Sequence, residues 1–186
     1  MSKYVHIPTV NEYKTGSYFA DLYFILNMKP KETFQGSNVD INQLTYSEVK
    51  SVIRYLDRIS KLNILKSIDL GKDVIETCFK VDSLAFNSAL ITDYISTMKY
   101  LELFFIDIQK KESALLSSFN ADTVKWLNAG GDKLDVHSDV LPLVQLGKIY
   151  GQYPYELQQR KYVEILKLLK IEIDLRNVDI KMSKAS

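Results

Sequence analysis

The chain has 186 residues, of which 46% are hydrophobic and 25% are charged, and its formal net charge is +1. The length suits one domain, or one domain with a small appendage. The balance of residues is typical of a globular protein and is too apolar for an intrinsically disordered chain. Basic residues occur in runs of at most two. The sequence therefore argues against nucleic acid as the main partner, because nucleic-acid binders concentrate cations on one surface.

Residues 1–14 lack the apolar segment and the small-residue cleavage site of a secretory signal. The longest apolar runs, 100–108 and 165–175, are interrupted by charges and are shorter than the ~20 apolar residues of a membrane span. We therefore expect no membrane insertion and a cytoplasmic location. Cys78 is the only cysteine, so we expect a small buried side chain and no internal disulfide.

The N-terminal residues 1–44 mix aromatic and β-branched residues with turn formers, which predicts a small β or irregular element. Residues 18–25 fit a strand or a short helix, and the pattern does not decide between them. Residues 31–38 include Gly36 and Ser37 and indicate a loop. A short apolar alternation over residues 39–44 follows, and we expect a small sheet or ribbon in this N-terminal region.

The middle of the chain predicts helices. Thr45-Tyr46-Ser47-Glu48 fits a capping box, so we expect a helix from Thr45 to about Leu62, followed by a connection over residues 63–71. Residues 75–81 fit either a helix or a strand. The segment 83–111 has apolar residues at helical spacing, and its serines and threonines leave open a break into two helices.

Two shorter helices are expected next. One contains Trp126 and is terminated by Gly130-Gly131. The other carries Pro142 in its first turn, where proline is tolerated, and continues to Gly151.

A last long helix is predicted to begin at Pro154, so that the Gly151–Pro154 turn joins two helices into a C-terminal helical hairpin. The polar end, 178–186, predicts a flexible tail. The expected fold class is mainly α (α+β). The expected organisation is an N-terminal β or irregular element over 1–44, a helical domain over 45–177 and the tail.

The sequence offers little catalytic chemistry. The nearest group to a metal site is Asp132, Asp135, His137 and Asp139, but its spacing matches neither a zinc pattern nor a calcium loop, so we predict no metal ligand. There is no glycine-rich phosphate loop, nucleophile elbow or HExxH pair. We therefore predict a protein without cofactor or enzyme activity. A small enzyme with an unrecognised carboxylate site is kept as an alternative.

Residues 143–169 permit two interpretations. Their length and turn glycine fit a helix-turn-helix motif, which would imply a DNA-binding regulator. The early part of the second helix, however, supplies only Arg160 and Lys161 as cations. Its apolar stripe is typical of a helix–helix contact or a partner surface, so DNA binding is the less favoured alternative.

Two segments resemble a known group of proteins. Residues 149–157 (IYGQYPYEL), followed by Tyr162, Ile165 and Leu166, resemble the C-terminal signature of small tail-assembly proteins of tailed phages and related contractile devices. In that signature an apolar helix ends in an aromatic-glycine pair and a proline begins the next helix. Leu44–Lys50 (LTYSEVK) resembles the strand-to-helix entry of tail-assembly chaperones and baseplate-hub proteins.

The resemblance implies a non-enzymatic phage protein of the host cytoplasm or the virion, which binds a tape-measure or baseplate-hub protein through apolar helical surfaces. It would shield that partner before assembly or join the hub. The same stripes fit the chain's own core equally well. The residues that we expect to shape the hairpin or to contact the partner are Tyr150, Gly151, Pro154, Tyr155, Tyr162 and Ile165.

Overall fold

A computed structural model describes residues 7–15, 28–62, 64–116, 133–134, 137 and 139–185. Within these residues the fold is mainly helical with a small two-stranded antiparallel sheet, which confirms the predicted fold class. No helix in the described part is long and apolar enough to cross a bilayer. The elements in chain order are α1 (Val10–Thr15), β1 (Thr33–Phe34), β2 (Ser37–Asn38), α2 (Tyr46–Ile59), α3 (Ile64–Phe79), α4 (Ser83–Ser88), α5 (Ile91–Leu116), α6 (Leu141–Tyr150), α7 (Pro154–Gln158) and α8 (Tyr162–Ala185).

The described residues group into two compact units. The first unit takes its residues from 1–40 and 51–106, and the second from 41–50 and 107–186. The boundaries fall within α2 and α5, so each of these helices contributes residues to both units. The predicted division into 1–44, 45–177 and 178–186 groups the residues differently and stays a prediction.

Aromatic rings form a cluster within the core of the first unit. The ring centroid of Phe34 lies 5.9 Å from that of Phe79 and 6.2 Å from that of Phe86, and Phe86 meets Tyr94 edge-on at 5.9 Å. All four side chains are buried. Such tilted and edge-to-face pairs add to the stability that burial of the rings provides, because the electron-rich face of one ring meets the edge of the next.

The small sheet lies inside residues 31–38, so the predicted loop there is wrong. Strands β1 and β2 pair Thr33 with Asn38 and Phe34 with Ser37. The two linking residues, Gln35 and Gly36, both have positive φ, 49° and 79°, as a type I′ turn requires. Gln-Gly is a weaker hairpin signal than Asn-Gly, and the buried Phe34 anchors the turn instead. The small sheet that we expected in the N-terminal region is confirmed at these residues. The apolar alternation over residues 39–44 takes no part in it, because that segment is irregular and turn-like.

The capping box at the start of α2 is confirmed. The Glu48 backbone N–H donates to Thr45 Oγ1 at 3.2 Å, and the Thr45 N–H donates to Glu48 Oε2 at 2.8 Å. The helix ends at Ile59, slightly before the predicted end near Leu62.

The predicted connection over residues 63–71 is wrong, because α3 begins at Ile64 and continues to Phe79. The same helix decides the open choice over 75–81 in favour of helix up to Phe79. Its buried face includes Ile68, Ile75 and Cys78, which recur at helical spacing, and Cys78 has the buried position that we expected.

The segment 83–111 is two helices, α4 and α5, separated at Ala89 and Leu90. Leu90 forms an isolated antiparallel bridge with Thr9, and the Val10 N–H donates to Ala89 O at 2.8 Å. This backbone pairing requires an extended conformation, so it interrupts the helix at that point. The expected helix at Trp126, the choice over residues 18–25, and Asp132 and Asp135 of the group considered as a metal site lie outside the described residues.

Candidate protein-binding surface

A tight turn follows α6 in the second unit. Gly151 adopts the left-handed conformation (φ 64°, ψ 31°), and its N–H donates to Gly147 O. The Gln152 N–H donates to the same oxygen at 3.1 Å. A Cβ on Gly147 would lie only 2.5 Å from Gln152 O, so the turn packs directly on the glycine backbone. Pro154 then occupies the first turn of α7.

The predicted single helix from Pro154 onward is wrong, because it is divided into α7 and α8. Residues 159–161 leave the helix and pair with the segment before α2. The Tyr46 N–H donates to Arg160 O and the Tyr162 N–H donates to Leu44 O, both at 2.9 Å. Thr45 and Lys161 form the bridge between these bonds. Helix α8 also runs past the expected tail boundary, since residues 178–185 are helical.

A buried ion pair lies beside this pairing. Lys50 Nζ is 2.8 Å from both carboxylate oxygens of Glu112, and the Tyr162 hydroxyl donates to Glu112 Oε2 at 3.0 Å. Lys50 Nζ also lies 5.4 Å from the centre of the Tyr46 ring. The Tyr46 hydroxyl donates to the backbone oxygen of Asp139 at 3.0 Å. These residues connect α2, the end of α5, the segment before α6 and the start of α8 through hydrogen bonds.

Burial is the first cause of the perturbed titration in this cluster. It raises the pKa of Tyr46 and of Tyr162 well above the ordinary value for tyrosine, and the negative charge of Glu112 raises both further. Both hydroxyls therefore stay protonated as hydrogen-bond donors. Both oxygens of Glu112 are engaged by Lys50 and Tyr162, so the cluster has the character of a structural network.

The six residues predicted to shape the hairpin or to contact a partner have different environments. Tyr162 and Ile165 are buried in the core of the second unit, whereas Tyr155 is 72% exposed on α7. Tyr150 is partly exposed, and its hydroxyl donates to Glu172 Oε1 at 2.7 Å, which raises the pKa of Tyr150. Gly151 and Pro154, described above, lie in the turn. The structure therefore does not gather these six residues into one surface.

Helix α8 has apolar side chains on two opposite faces. The inner face packs in the second unit and comprises Tyr162, Ile165, Leu169 and Ile173, all buried. The opposite face, which we name the outer stripe, is formed by Leu168, Ile171, Leu175, Val178 and Met182. Ile171, Leu175, Val178 and Met182 are 50%, 55%, 52% and 66% exposed, and Leu168 is half-buried.

The outer stripe has the spacing of a coiled-coil seam. Its residues follow one another at alternating intervals of three and four, as the a and d positions of a heptad do. A helix whose apolar residues repeat in this way presents one continuous apolar line to a second helix. The outer stripe is thus a surface that a helix can cover.

An open groove of about 520 Å³ lies between α6 and α8 beside the outer stripe. Its apolar lining includes Leu146 and Ile149 from α6, and Leu175 contributes to both the groove and the outer stripe. Charged side chains of both signs complete the lining, namely Lys148, Glu172, Arg176 and Asp179. Tyr150 bridges the two helices through its hydrogen bond to Glu172.

Helix α7, which would be the recognition helix of the alternative helix-turn-helix motif, has only five residues. That length is about one and a half turns, which gives few side chains for the edges of bases in a major groove. Its exposed side chains include Tyr155, and the cation Arg160 lies beyond its end.

Sequence reasoning missed the outer stripe although its signal is local. The alternating spacing from Leu168 to Met182 is readable in the sequence, but the polar end of the chain predicted a tail over 178–186, which includes Val178 and Met182. The Lys50–Glu112 pair had no local signal, because its partners are 62 residues apart.

No family model, characterised protein or solved structure matches the chain.

Proposed function

We propose that the protein is a non-enzymatic binding protein that holds a helix of another protein against the outer stripe, and that it serves in the assembly of a phage tail or baseplate. The observation that carries the proposal is the exposure of four large apolar side chains in heptad spacing on α8. The opposite face of the same helix is already buried in its own unit. The outer stripe is therefore apolar surface beyond what the inner face uses.

The energetics favour a covered state. Apolar surface removed from water contributes about 25 cal/mol per Å², so covering the outer stripe stabilises a complex. The distal part of α8, residues 174–183, is exposed on nearly every side chain, with Asn177 half-buried. Isolated helices of fewer than about 12 residues are marginal in water, so a docked helix would also stabilise this segment. An amphipathic helix laid along an apolar line is a common mode of protein recognition.

The assembly role rests on the resemblance of residues 149–157 and 44–50 to tail-assembly and baseplate-hub proteins. In the second unit, the first of these segments spans the end of α6, the turn after it and most of α7, and the second forms the entry to α2. A tape-measure or baseplate-hub protein with an apolar helical segment is therefore the proposed partner, bound in the host cytoplasm and carried into the particle or released during assembly.

The test is co-purification of the tagged protein with the tape-measure and hub proteins encoded by its neighbouring genes. We expect one of them to be retained, and Leu175→Asp combined with Val178→Asp to reduce its recovery at least about tenfold, because carboxylates in a heptad seam oppose burial. Both substituted side chains are exposed, so the variant should keep its fold.

Ser183→Asp is the matched control, because it adds a carboxylate to an exposed site on the same helix outside the outer stripe. It should leave recovery unchanged, and circular dichroism should show the same helix content in all variants. Absence of a retained tail protein, or equal recovery with the outer-stripe variant, would overturn the proposal.

A further inference from the structure

The outer stripe is flanked by charges that differ between its two sides. With Leu168, Leu175 and Met182 at a, and Ile171 and Val178 at d, the e positions are occupied by carboxylates and the g positions mainly by lysines. The e side, which we name the acidic edge, consists of Glu172 and Asp179. The g side, which we name the mixed edge, consists of Lys167, Asp174 and Lys181.

A second copy of α8 gains no net charge pairing in a parallel pair. Parallel helices place each g residue opposite the next e residue of the partner helix. Lys167 would then meet Glu172 of the other copy, which is favourable, but Asp174, which already pairs with Lys170 of its own helix, would meet Asp179. The symmetry of the pair repeats this repulsion on the other side.

An antiparallel pair has the same difficulty. With Leu175 layered on Val178 of the other copy, the mixed edges place Asp174 beside Lys181, which is favourable. The acidic edges, however, face each other and place Glu172 beside Asp179 twice. Both self-pairings therefore bring carboxylates together, whereas a helix of different sequence can satisfy both edges at once.

We infer that the outer stripe takes a helix of a different protein, with apolar residues in heptad spacing and with lysine or arginine on the flank that faces Glu172 and Asp179. This inference rests on the proposed function and specifies the chemistry of its partner. The opposite flank of that partner helix carries mainly acidic residues, which meet Lys167 and Lys181. The edges determine which helix is accepted, and the apolar line supplies the attraction.

The test uses labelled three-heptad peptides at nanomolar concentration, with isoleucine at a and leucine at d. Two matched peptides carry lysine on one flank and glutamate on the other, and they differ in which of the two flanks carries the lysine. A mismatched peptide carries glutamate on both flanks. By fluorescence anisotropy, the tighter matched peptide should bind roughly fivefold more strongly than the mismatched one, from a few exposed ion pairs. The protein alone should sediment as a monomer at the protein concentrations used in this titration.

Asp179→Lys is the decisive variant, because Asp179 is exposed whereas Glu172 also accepts the hydrogen bond of Tyr150. It should remove or reverse the preference for the matched peptide, and Gln159→Lys, which adds a cation on an exposed residue outside α8, should preserve it. Equal binding of all peptides would overturn this inference and leave the proposed function standing. Dimerisation that Leu175→Asp abolishes would overturn it in favour of a second copy. A monomer that binds no peptide would overturn the proposed function as well.

Discussion

Lys50 and Glu112 show how much of the second unit depends on single contacts. Their side chains are only 14% and 7% exposed, and Tyr162 completes the coordination of the carboxylate. A buried ion pair adds little net stability over apolar residues of the same size, because desolvation of both charges opposes their attraction. Loss of one partner is different, because it leaves the other charge buried and uncompensated.

Lys50→Met should therefore lower the free energy of unfolding by about 3–5 kcal/mol, because Glu112 is left without its cation. The double variant Lys50→Met with Glu112→Gln should lose less free energy of unfolding than the single variant Lys50→Met. The neutral amide oxygen of glutamine can still accept the hydrogen bond of Tyr162, and no buried charge remains. Urea unfolding followed by circular dichroism measures both values. A double variant as unstable as Lys50→Met alone would contradict this account of the cluster.

At this scale the sequence revealed only what neighbours in the chain determine. The Thr45 and Glu48 capping box was predictable because both partners lie within one helical turn. The burial of Cys78 was predictable from its mixed apolar surroundings. The ion pair of Lys50 could not be predicted, because residue 112 comes within reach only after α2, α5 and α8 have packed.

Among the elements, periodicity located the helices but tertiary pairing decided where they stop. The break between α4 and α5 and the break between α7 and α8 both coincide with isolated backbone bridges, Thr9–Leu90 and Thr45–Lys161. In each case the interrupted residues exchange hydrogen bonds with a segment far away in the chain. Apolar spacing cannot reveal such a break, because side chains on either side of it continue to point toward the core.

The turn after α6 gives a test at the scale of an element. Gly147→Ala should lower the free energy of unfolding by roughly 1–3 kcal/mol, although alanine is the better helix former, because the added Cβ would lie 2.5 Å from Gln152 O. Gly151→Ala should cost about 1–2 kcal/mol, since it forces alanine into the left-handed conformation. Thermal unfolding of the two variants measures both effects.

Lys148→Ala is the control for this turn, because Lys148 is exposed and adjacent to Gly147 on the same helix. The free energy of unfolding of the Lys148→Ala variant should stay close to that of the unmodified protein. A stabilised Gly147→Ala variant would mean that the turn relaxes freely, and that the close packing against Gln152 does not constrain α6.

Across the whole molecule, buried tyrosines in both units make the free energy of unfolding depend on pH in the alkaline range. Burial raises the pKa of Tyr94 in the first unit to about 12, against an ordinary value near 10, and raises that of Tyr46 and Tyr162 in the second unit. A raised pKa means that the folded state favours the neutral phenol. The stability that each neutral phenol contributes is complete below pH 10 and is lost as the pH rises toward the pKa of that phenol in the folded state.

Tyr94→Phe isolates one of these contributions. At neutral pH it should cost about 1 kcal/mol, from the hydrogen bond that Tyr94 donates to Ser67 O. Between about pH 10 and pH 12 the unmodified protein should lose up to about 3 kcal/mol more than the variant, because only it carries this phenol. Urea unfolding at several pH values measures the difference. Parallel pH profiles would show that Tyr94 titrates normally.

The predicted helical class holds for the molecule as described, yet the arrangement of residues into two units was beyond the sequence. Each unit takes residues from two separated stretches, and α2 and α5 contribute to both. The exposure of the outer stripe was also hidden, because a sequence with apolar residues on two faces of one helix does not indicate which face the core uses.

Cys78 offers a means of observing one unit at a time. It is the only thiol in the chain, it lies in α3 within the first unit, and only 3% of it is exposed. A thiol reagent reaches it only when the surrounding structure opens, so the rate of modification reports the opening equilibrium of that unit. Conditions that disturb only the second unit would leave this rate of modification unchanged, which separates local loosening of α8 from loss of the fold of the first unit.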